Sequence, residues 1–220
     1  VDVFLPFSTD RPKSRLADTL TPTERESFAH AMLADVLEAV ASAGGEPHLL
    51  ATAPLDRDRV PSAAGADMPV TVDDRPLTPA VNAMLPEDPK DDPVAVVVSD
   101  LALATPEPLE RLFDVAPDGG VAMAPGRGGG TNALVVDHPT FRVDYHGASC
   151  RDHRRIAREV GADLREVDSR RLATDVDERA DLAEVLLHGG GAARDWLADA
   201  GFELAIDAGR VGVKRTDGDR

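Results

Sequence analysis

The chain has 220 residues, 42% of them hydrophobic, and sets 40 acidic side chains against 24 basic ones for a net charge of −16. That length suits one α/β domain with a substantial core, and the acidity argues against general nucleic-acid binding, which needs a basic footprint. No apolar run reaches the roughly 18–20 residues that span a bilayer, and the single cysteine, Cys150, excludes an intrachain disulfide. Residues 1–5 are too short an apolar opening for a signal peptide, so a soluble cytoplasmic protein is expected. Only Lys13, Lys90 and Lys214 are lysines. An acidic surface with arginine favoured over lysine suits solubility in concentrated salt, where screening tames self-repulsion.

Apolar runs alternate with amphipathic stretches along the chain. Residues 3–5 predict a strand and 22–43 a long helix, with Thr21 as its cap, Pro22 in the first turn and Glu24 completing a capping box. Phe28, Met32, Val36 and Val40 recur every four residues beside Leu33 and Leu37, giving that helix one apolar face. Strands are expected over 48–53 and 68–72, and a short helix over 79–85. Residues 94–98 are Val and Ala without polar alternation, the pattern of a central strand covered on both faces. A helix then starts at Thr105-Pro106.

Further strands are expected over 121–124 and 133–136, a helix over 149–160, an extended segment over 164–167 and a helix over 178–187. Gly189, Gly190 and Gly191 set off a C-terminal piece with a helix over 192–200 and a hairpin over 202–214. Residues 216–220 are expected to fray. Strands alternating with helices imply a largely parallel sheet in a three-layer sandwich.

Ligands of an open parallel sheet bind beyond the C-terminal ends of its strands, and four segments with unusual residues fall there. The loop after the first strand carries Arg11, Lys13 and Arg15, cations suited to a triphosphate or simply to a solvated loop. Asp100 follows the 94–98 strand, where it can hold Mg²⁺ or serve a turn. Residues 126–130 are four glycines around Arg127 before Thr131-Asn132, an anion nest or a plain hairpin turn, and lack the Gly-Lys-Ser/Thr ending of a Walker loop. Asp175 and Asp177 alternate along an extended segment, which puts both carboxylates on one side. Asp177 serves equally well on local sequence as a metal ligand or as the cap of the 178–187 helix. Ser149 opens a helix whose free N–H groups suit an anion or an ordinary cap. His146, Cys150 and His153 lie close together, but one thiol without a matching second pair is a weak metal signature.

In order and spacing these segments resemble the CofC family of 2-phospho-L-lactate guanylyltransferases, whose bacterial relatives use phosphoenolpyruvate. The resemblance runs over 3–187 and rests on Pro6-Phe7, Pro12 to Leu16, Met32 to Leu37, Ser99-Asp100-Leu101, Gly128 to Leu134, Ser149 with His153, and Asp175-Val176-Asp177 with Asp181-Leu182. Ser8, Thr78 and Ala102 depart from the family's usual residues, and Gly147 stands one position nearer Ser149 than expected. Related nucleotidyltransferases acting on molybdopterin or sugars tend to have a glycine-rich first loop, and residues 8–12 contain no glycine.

The resemblance implies a single nucleotidyltransferase domain over 1–220, Rossmann-like and of the glycosyltransferase-A type, with 188–220 as a C-terminal extension. It implies transfer of GMP from GTP to 2-phospho-L-lactate in coenzyme F-420 synthesis, by a homodimer. Asp100, Asp175 and Asp177 would hold Mg²⁺ and through it the acceptor phosphate. Thr131 and Ser149 would hold the acceptor carboxylate, and Lys13 and Arg15 would face the triphosphate. Lys13 and Asp100 would be the catalytic pair.

Overall fold

The computed structural model describes residues 1–9, 12–55, 68–207 and 209–216. Arg11 and the terminal residues 217–220 lie outside the described residues. The chain opens with β1 (Asp2–Phe7), a short 3-10 turn (Ser14–Leu16) and α1 (Pro22–Ser42), then β2 (Glu46–Ala51), β3 (Val70–Val72) and α2 (Leu77–Asn82). The middle of the chain forms β4 (Val94–Val97), α3 (Pro106–Val115), β5 (Val121–Pro125), β6 (Thr131–Val136) and α4 (Ser149–Val160). It ends with β7 (Leu164–Glu166), α5 (Arg170–Ala173), α6 (Arg179–His188), α7 (Ala192–Asp199) and the strands β8 (Phe202–Asp207) and β9 (Arg210–Arg215).

The first seven strands form one sheet in the order β3-β2-β1-β4-β6-β5-β7, and β8 pairs with β9 in a separate hairpin. All neighbouring strands of the large sheet run parallel except β6, which is antiparallel to both β4 and β5. The reason is chain length. Residues 126–130 join β5 to β6 directly, too few for the crossover that a parallel pair requires. The reversal leaves the site where the sequence places it, because β6 starts at the edge where β1, β4 and β5 end.

Apolar side chains pack on both faces of the sheet, which makes it the middle of three layers. Ala95 and Val97 of β4 and Ala133 and Val135 of β6 join the core under α1, α3, α6 and α7. Val96, Leu134 and Val136 join a second core with Ala80 and Val81 of α2 and Ala157 of α4. The expected capping box forms: Glu24 N–H donates to Thr21 Oγ1 at 3.3 Å, and Thr21 N–H to Glu24 Oε2 at 2.8 Å. No helix among the described residues is long and apolar enough to cross a membrane.

A buried carboxylate docks the C-terminal helix. Asp35, in the middle of α1, accepts hydrogen bonds from Ala192 N–H at 2.6 Å and Ala193 N–H at 3.0 Å, satisfying two free donors at the start of α7. The approach is so close that a Cβ on Gly191 would lie 2.2 Å from Asp35 Oδ1, so glycine is required there. Asp35→Ala strands both amides, and urea unfolding at neutral pH should show a loss of about 1–3 kcal/mol. Unchanged stability would mean that α7 docks by apolar packing alone.

Candidate functional site

Parallel pairing of β1 with β4 brings the loops after both strands to one edge of the sheet, and Ser99 Oγ fastens them by donating to Pro6 O at 2.8 Å. Lys13 is the one described non-glycine residue with positive φ, at φ 54° and ψ 45°. A left-handed backbone costs an L-residue on the order of 1–2 kcal/mol, and such strain gathers at functional sites. Its ammonium donates to Asp100 Oδ2 at 2.5 Å and to Asp177 Oδ1 at 2.9 Å, with only 10% of the side chain exposed. Arg15, 68% exposed, adds a contact to Asp177 Oδ2 at 2.8 Å. Burial opposes the charge on Lys13, but Asp100 and Asp177 together raise its pKa above the ordinary lysine value. Burial pushes the Asp100 carboxyl up against the pull of Lys13, and nearby Asp177 and Asp175 push it further. Asp100 Oδ1 is buried with no hydrogen-bond partner.

The segment carrying Asp175 and Asp177 is strapped down from two sides. Val176 N–H donates to Asp100 O at 3.2 Å, and Asn132 Nδ2 donates to Leu172 O at 2.9 Å and to Asp175 Oδ1 at 3.1 Å. Gly126 leaves room for that amide, since a Cβ there would sit 2.5 Å from Asn132 Oδ1. Asp177 is not the helix cap that its position allowed. Glu178 is the N-cap of α6, and Asp181 accepts from Asp177 N–H at 3.0 Å and Glu178 N–H at 2.8 Å. Arg127, in the glycine-rich turn, meets the other oxygen of Asp181 at 2.5 Å. With capping done by Asp181, the Asp177 side chain is available to Lys13 and Arg15.

Thr131, Ser149 and His153 form a buried polar cluster behind the turn. Cys150 N–H donates to Gly129 O at 3.2 Å, which ties the start of α4 to the turn and sets Ser149 Oγ 3.4 Å from Thr131 Oγ1. Thr131 Oγ1 lies 2.8 Å from His153 Nδ1, and Asp144 N–H donates to His153 Nε2 at 3.0 Å. His146, Cys150 and His153 do not converge: His146 pairs with Asp144 and Cys150 Sγ meets Arg154 Nη1 at 3.6 Å. Among the described residues no three His, Cys, Asp or Glu side chains are preassembled around a metal. Lys13 stands between Asp100 and Asp177.

A cavity of about 320 Å³ opens beside this cluster. Phe7, Leu50 and Leu77 supply apolar walls, Asp73 lies on its lining, and Lys13 and Asp100 bound it on the cluster side. The site therefore joins a concave apolar chamber to a cation held between carboxylates.

The fold gathers Lys13, Arg15, Asp100, Thr131, Ser149, Asp175 and Asp177, all candidates from the sequence, along this edge. The supporting tasks of Asn132, Asp181 and His153 are not legible in the sequence. The one available signal for His153 was its spacing, a single helical turn beyond Ser149 and on the same face.

Burial lowers the His153 pKa to about 4, from 6.5. Below pH 6.5 the unfolded chain takes up a proton that the folded chain refuses, so stability falls as pH drops towards 4. From pH 7 to pH 5 the protein should lose about 2 kcal/mol relative to His153→Gln, which has no such group to titrate. Parallel urea denaturation curves at the two pH values measure this, and an unchanged difference would show that the ring takes up protons freely.

A family model described as "Guanylyl transferase CofC like" matches residues 1–216. A curated relative from Halomicrobium mukohataei, named 2-phospho-L-lactate guanylyltransferase, is 58% identical over 213 residues, covering 97% of this chain and 98% of its own. A relative of the same name from Halorubrum lacusprofundi is 58% identical over 225 residues, covering 98% of this chain and 100% of its own. Both come from halophilic archaea, in keeping with the acidic composition. Among solved structures, one described as a nucleotide-diphospho-sugar transferase from Desulfovibrio desulfuricans G20 matches with a TM-score of 0.73 at 14% identity, covering 90% of this chain and 94% of that one. A nucleotidyl transferase from Methanothermobacter matches with a TM-score of 0.58 at 16% identity, covering 85% and 96%. These two show the shared fold. The family match and the curated relatives show more: this chain is a nucleotidyltransferase and belongs to the CofC-like guanylyl transferase family.

Proposed function

We propose that the chain transfers GMP from GTP to the phosphate of 2-phospho-L-lactate, forming lactyl-2-diphospho-5'-guanosine and pyrophosphate in coenzyme F-420 biosynthesis. The observation that carries this reading is Lys13, held between Asp100 and Asp177 at the mouth of the cavity. The names of the curated relatives support the choice of nucleotide and acceptor.

In the transfer, an oxygen of the acceptor phosphate attacks the α-phosphorus of GTP, the bond to the bridging oxygen of the β-phosphate breaks, and pyrophosphate leaves. The acceptor phosphate is already an anion at neutral pH, so no general base is required. Catalysis then rests on positioning and on charge neutralisation. The cavity takes the guanosine end. Lys13 and Arg15 neutralise the triphosphate, and Lys13 stays near enough to follow charge onto the leaving group. Thr131 and Ser149 meet the acceptor carboxylate.

The donor set fits Mg²⁺, a hard cation that prefers carboxylate oxygens and substrate phosphates. Asp100 Oδ1 is a buried oxygen without a partner, and Asp175 and Asp177 lie near enough to raise the Asp100 pKa. These three carboxylates would hold the ion. Bound there, Mg²⁺ supplies Lewis-acid neutralisation of phosphate oxygens.

The direct test offers GTP and Mg²⁺ with 2-phospho-L-lactate, phosphoenolpyruvate and 3-phosphoglycerate together, and reads the products by mass spectrometry. The lactyl adduct should dominate; a dominant adduct of another acid, or none, would overturn the acceptor assignment. Asp177→Asn tests the site. It keeps the shape but removes the charge, so the melting temperature should hold while turnover falls about tenfold or more and needs higher Mg²⁺. Full turnover in Asp177→Asn would remove Asp177 from the ligand set.

A further inference from the structure

The transfer just described makes no use of His153, yet this imidazole is fully buried and bonded at both ring nitrogens. We infer that His153 is a positioning residue for the acceptor: it donates from Nδ1 to Thr131 Oγ1 and so leaves the Thr131 hydroxyl hydrogen to a bound anion. The inference rests on the reading that Thr131 faces the acceptor carboxylate.

The protonation pattern follows from the backbone. Asp144 N–H donates to Nε2, so that nitrogen is unprotonated and the single proton of a neutral ring sits on Nδ1. The Asp144 amide has little freedom to move. Val143 beside it is clamped by Asn82, which accepts from Val143 N–H at 2.8 Å and donates to Val143 O at 3.0 Å. On the other side Tyr145 N–H donates to Thr78 Oγ1 at 3.0 Å. The ring itself is walled in by Tyr145, edge-on with centroids 5.3 Å apart, and by Phe141 at 6.0 Å. The tautomer is thus set by a fixed amide, and the ring is held in place.

Its effect falls on Thr131. A hydroxyl has one hydrogen to give and two lone pairs to receive with. Thr131 Oγ1 receives from His153 Nδ1 and, more weakly, from Ser149 Oγ at 3.4 Å. Both lone pairs are then engaged, and the oxygen is left as a donor only. Its present acceptor is Met123 Sδ at 3.5 Å, a weak thioether acceptor beside which a carboxylate oxygen is the stronger partner. The arrangement selects an acceptor group such as a carboxylate over a group that must donate.

Three variants separate this role from a structural one, each read as KM for 2-phospho-L-lactate and KM for GTP alongside the melting temperature. Thr131→Val removes the hydroxyl and should raise the acceptor KM about tenfold or more with the GTP KM unchanged. His153→Asn places an amide N–H where Nδ1–H stood, and should keep the acceptor KM within about threefold of the unaltered protein. His153→Gln puts its amide at the Nε2 end, leaves Thr131 without its donor, and should match Thr131→Val. Both His153 variants should melt lower, so a merely structural role would move them together.

Equal acceptor KM values for His153→Asn and His153→Gln would overturn the inference while leaving the Thr131 contact standing. An unchanged acceptor KM in Thr131→Val would overturn the acceptor-site reading and the inference with it. If the His153 variants fail to fold, the nitrogen-15 shifts of the His153 ring in the unaltered protein decide: a proton on Nδ1 is expected, and a proton on Nε2 would overturn the inference.

Discussion

One ammonium group organises this site. Lys13 lies on the loop after β1, Asp100 on the loop after β4 and Asp177 just before α6, and the two contacts of Nζ bring these distant parts of the chain to one point. Without the cation, Asp100, whose proton affinity Asp177 and Asp175 already raise, would face Asp177 across a partly buried cleft. The left-handed backbone of Lys13 is held in place by this double attachment. Removing Lys13 or Asp100 from this buried pair leaves an uncompensated charge, so these two residues are poorly exchangeable.

Salt sharpens the distinction between this pair and the surface. The Debye length shrinks to about 3 Å at 1 M salt. Exposed pairs such as Arg155 with Glu159, each about half exposed, are then largely screened. Lys13 and Asp100 touch at 2.5 Å in a place that admits little solvent, and screening reaches them far less. An acidic exterior, at a net charge of −16, can therefore surround a site whose electrostatics salt reaches far less. The same economy of cations shows in the composition, where one of only three lysines occupies the centre of the cleft.

Much of this was legible from the sequence, because local rules and tertiary packing agree along most of the chain. The capping box at Thr21 and Glu24, the four-residue apolar period of α1 and the unbroken Val-Ala run of β4 each pointed to one structure, and the fold keeps all three. The reversal of β6 was hidden by the expectation of alternation, although the short turn over 126–130 forced it. The four-residue helix α5 is too short to leave a periodic pattern. At the site, charged residues at strand ends declared themselves, whereas their supports did not. Asp181 sits on a helix and looks like any first-turn carboxylate until Arg127 and the Asp177 and Glu178 amides are seen to meet on it. Asn132 and His153 act on residues about 40 and 20 positions away, contacts that only the folded chain creates.

In the proposed function Lys13, held by Asp100 and Asp177, is the group that meets the triphosphate. Titrating GTP into the unaltered protein and into Lys13→Met, each shown to be folded by near-ultraviolet circular dichroism, measures this directly. Loss of a charged phosphate contact predicts binding weakened about tenfold or more. Equal affinity in the folded Lys13→Met protein would contradict this role of Lys13 and move the phosphate site away from this cleft.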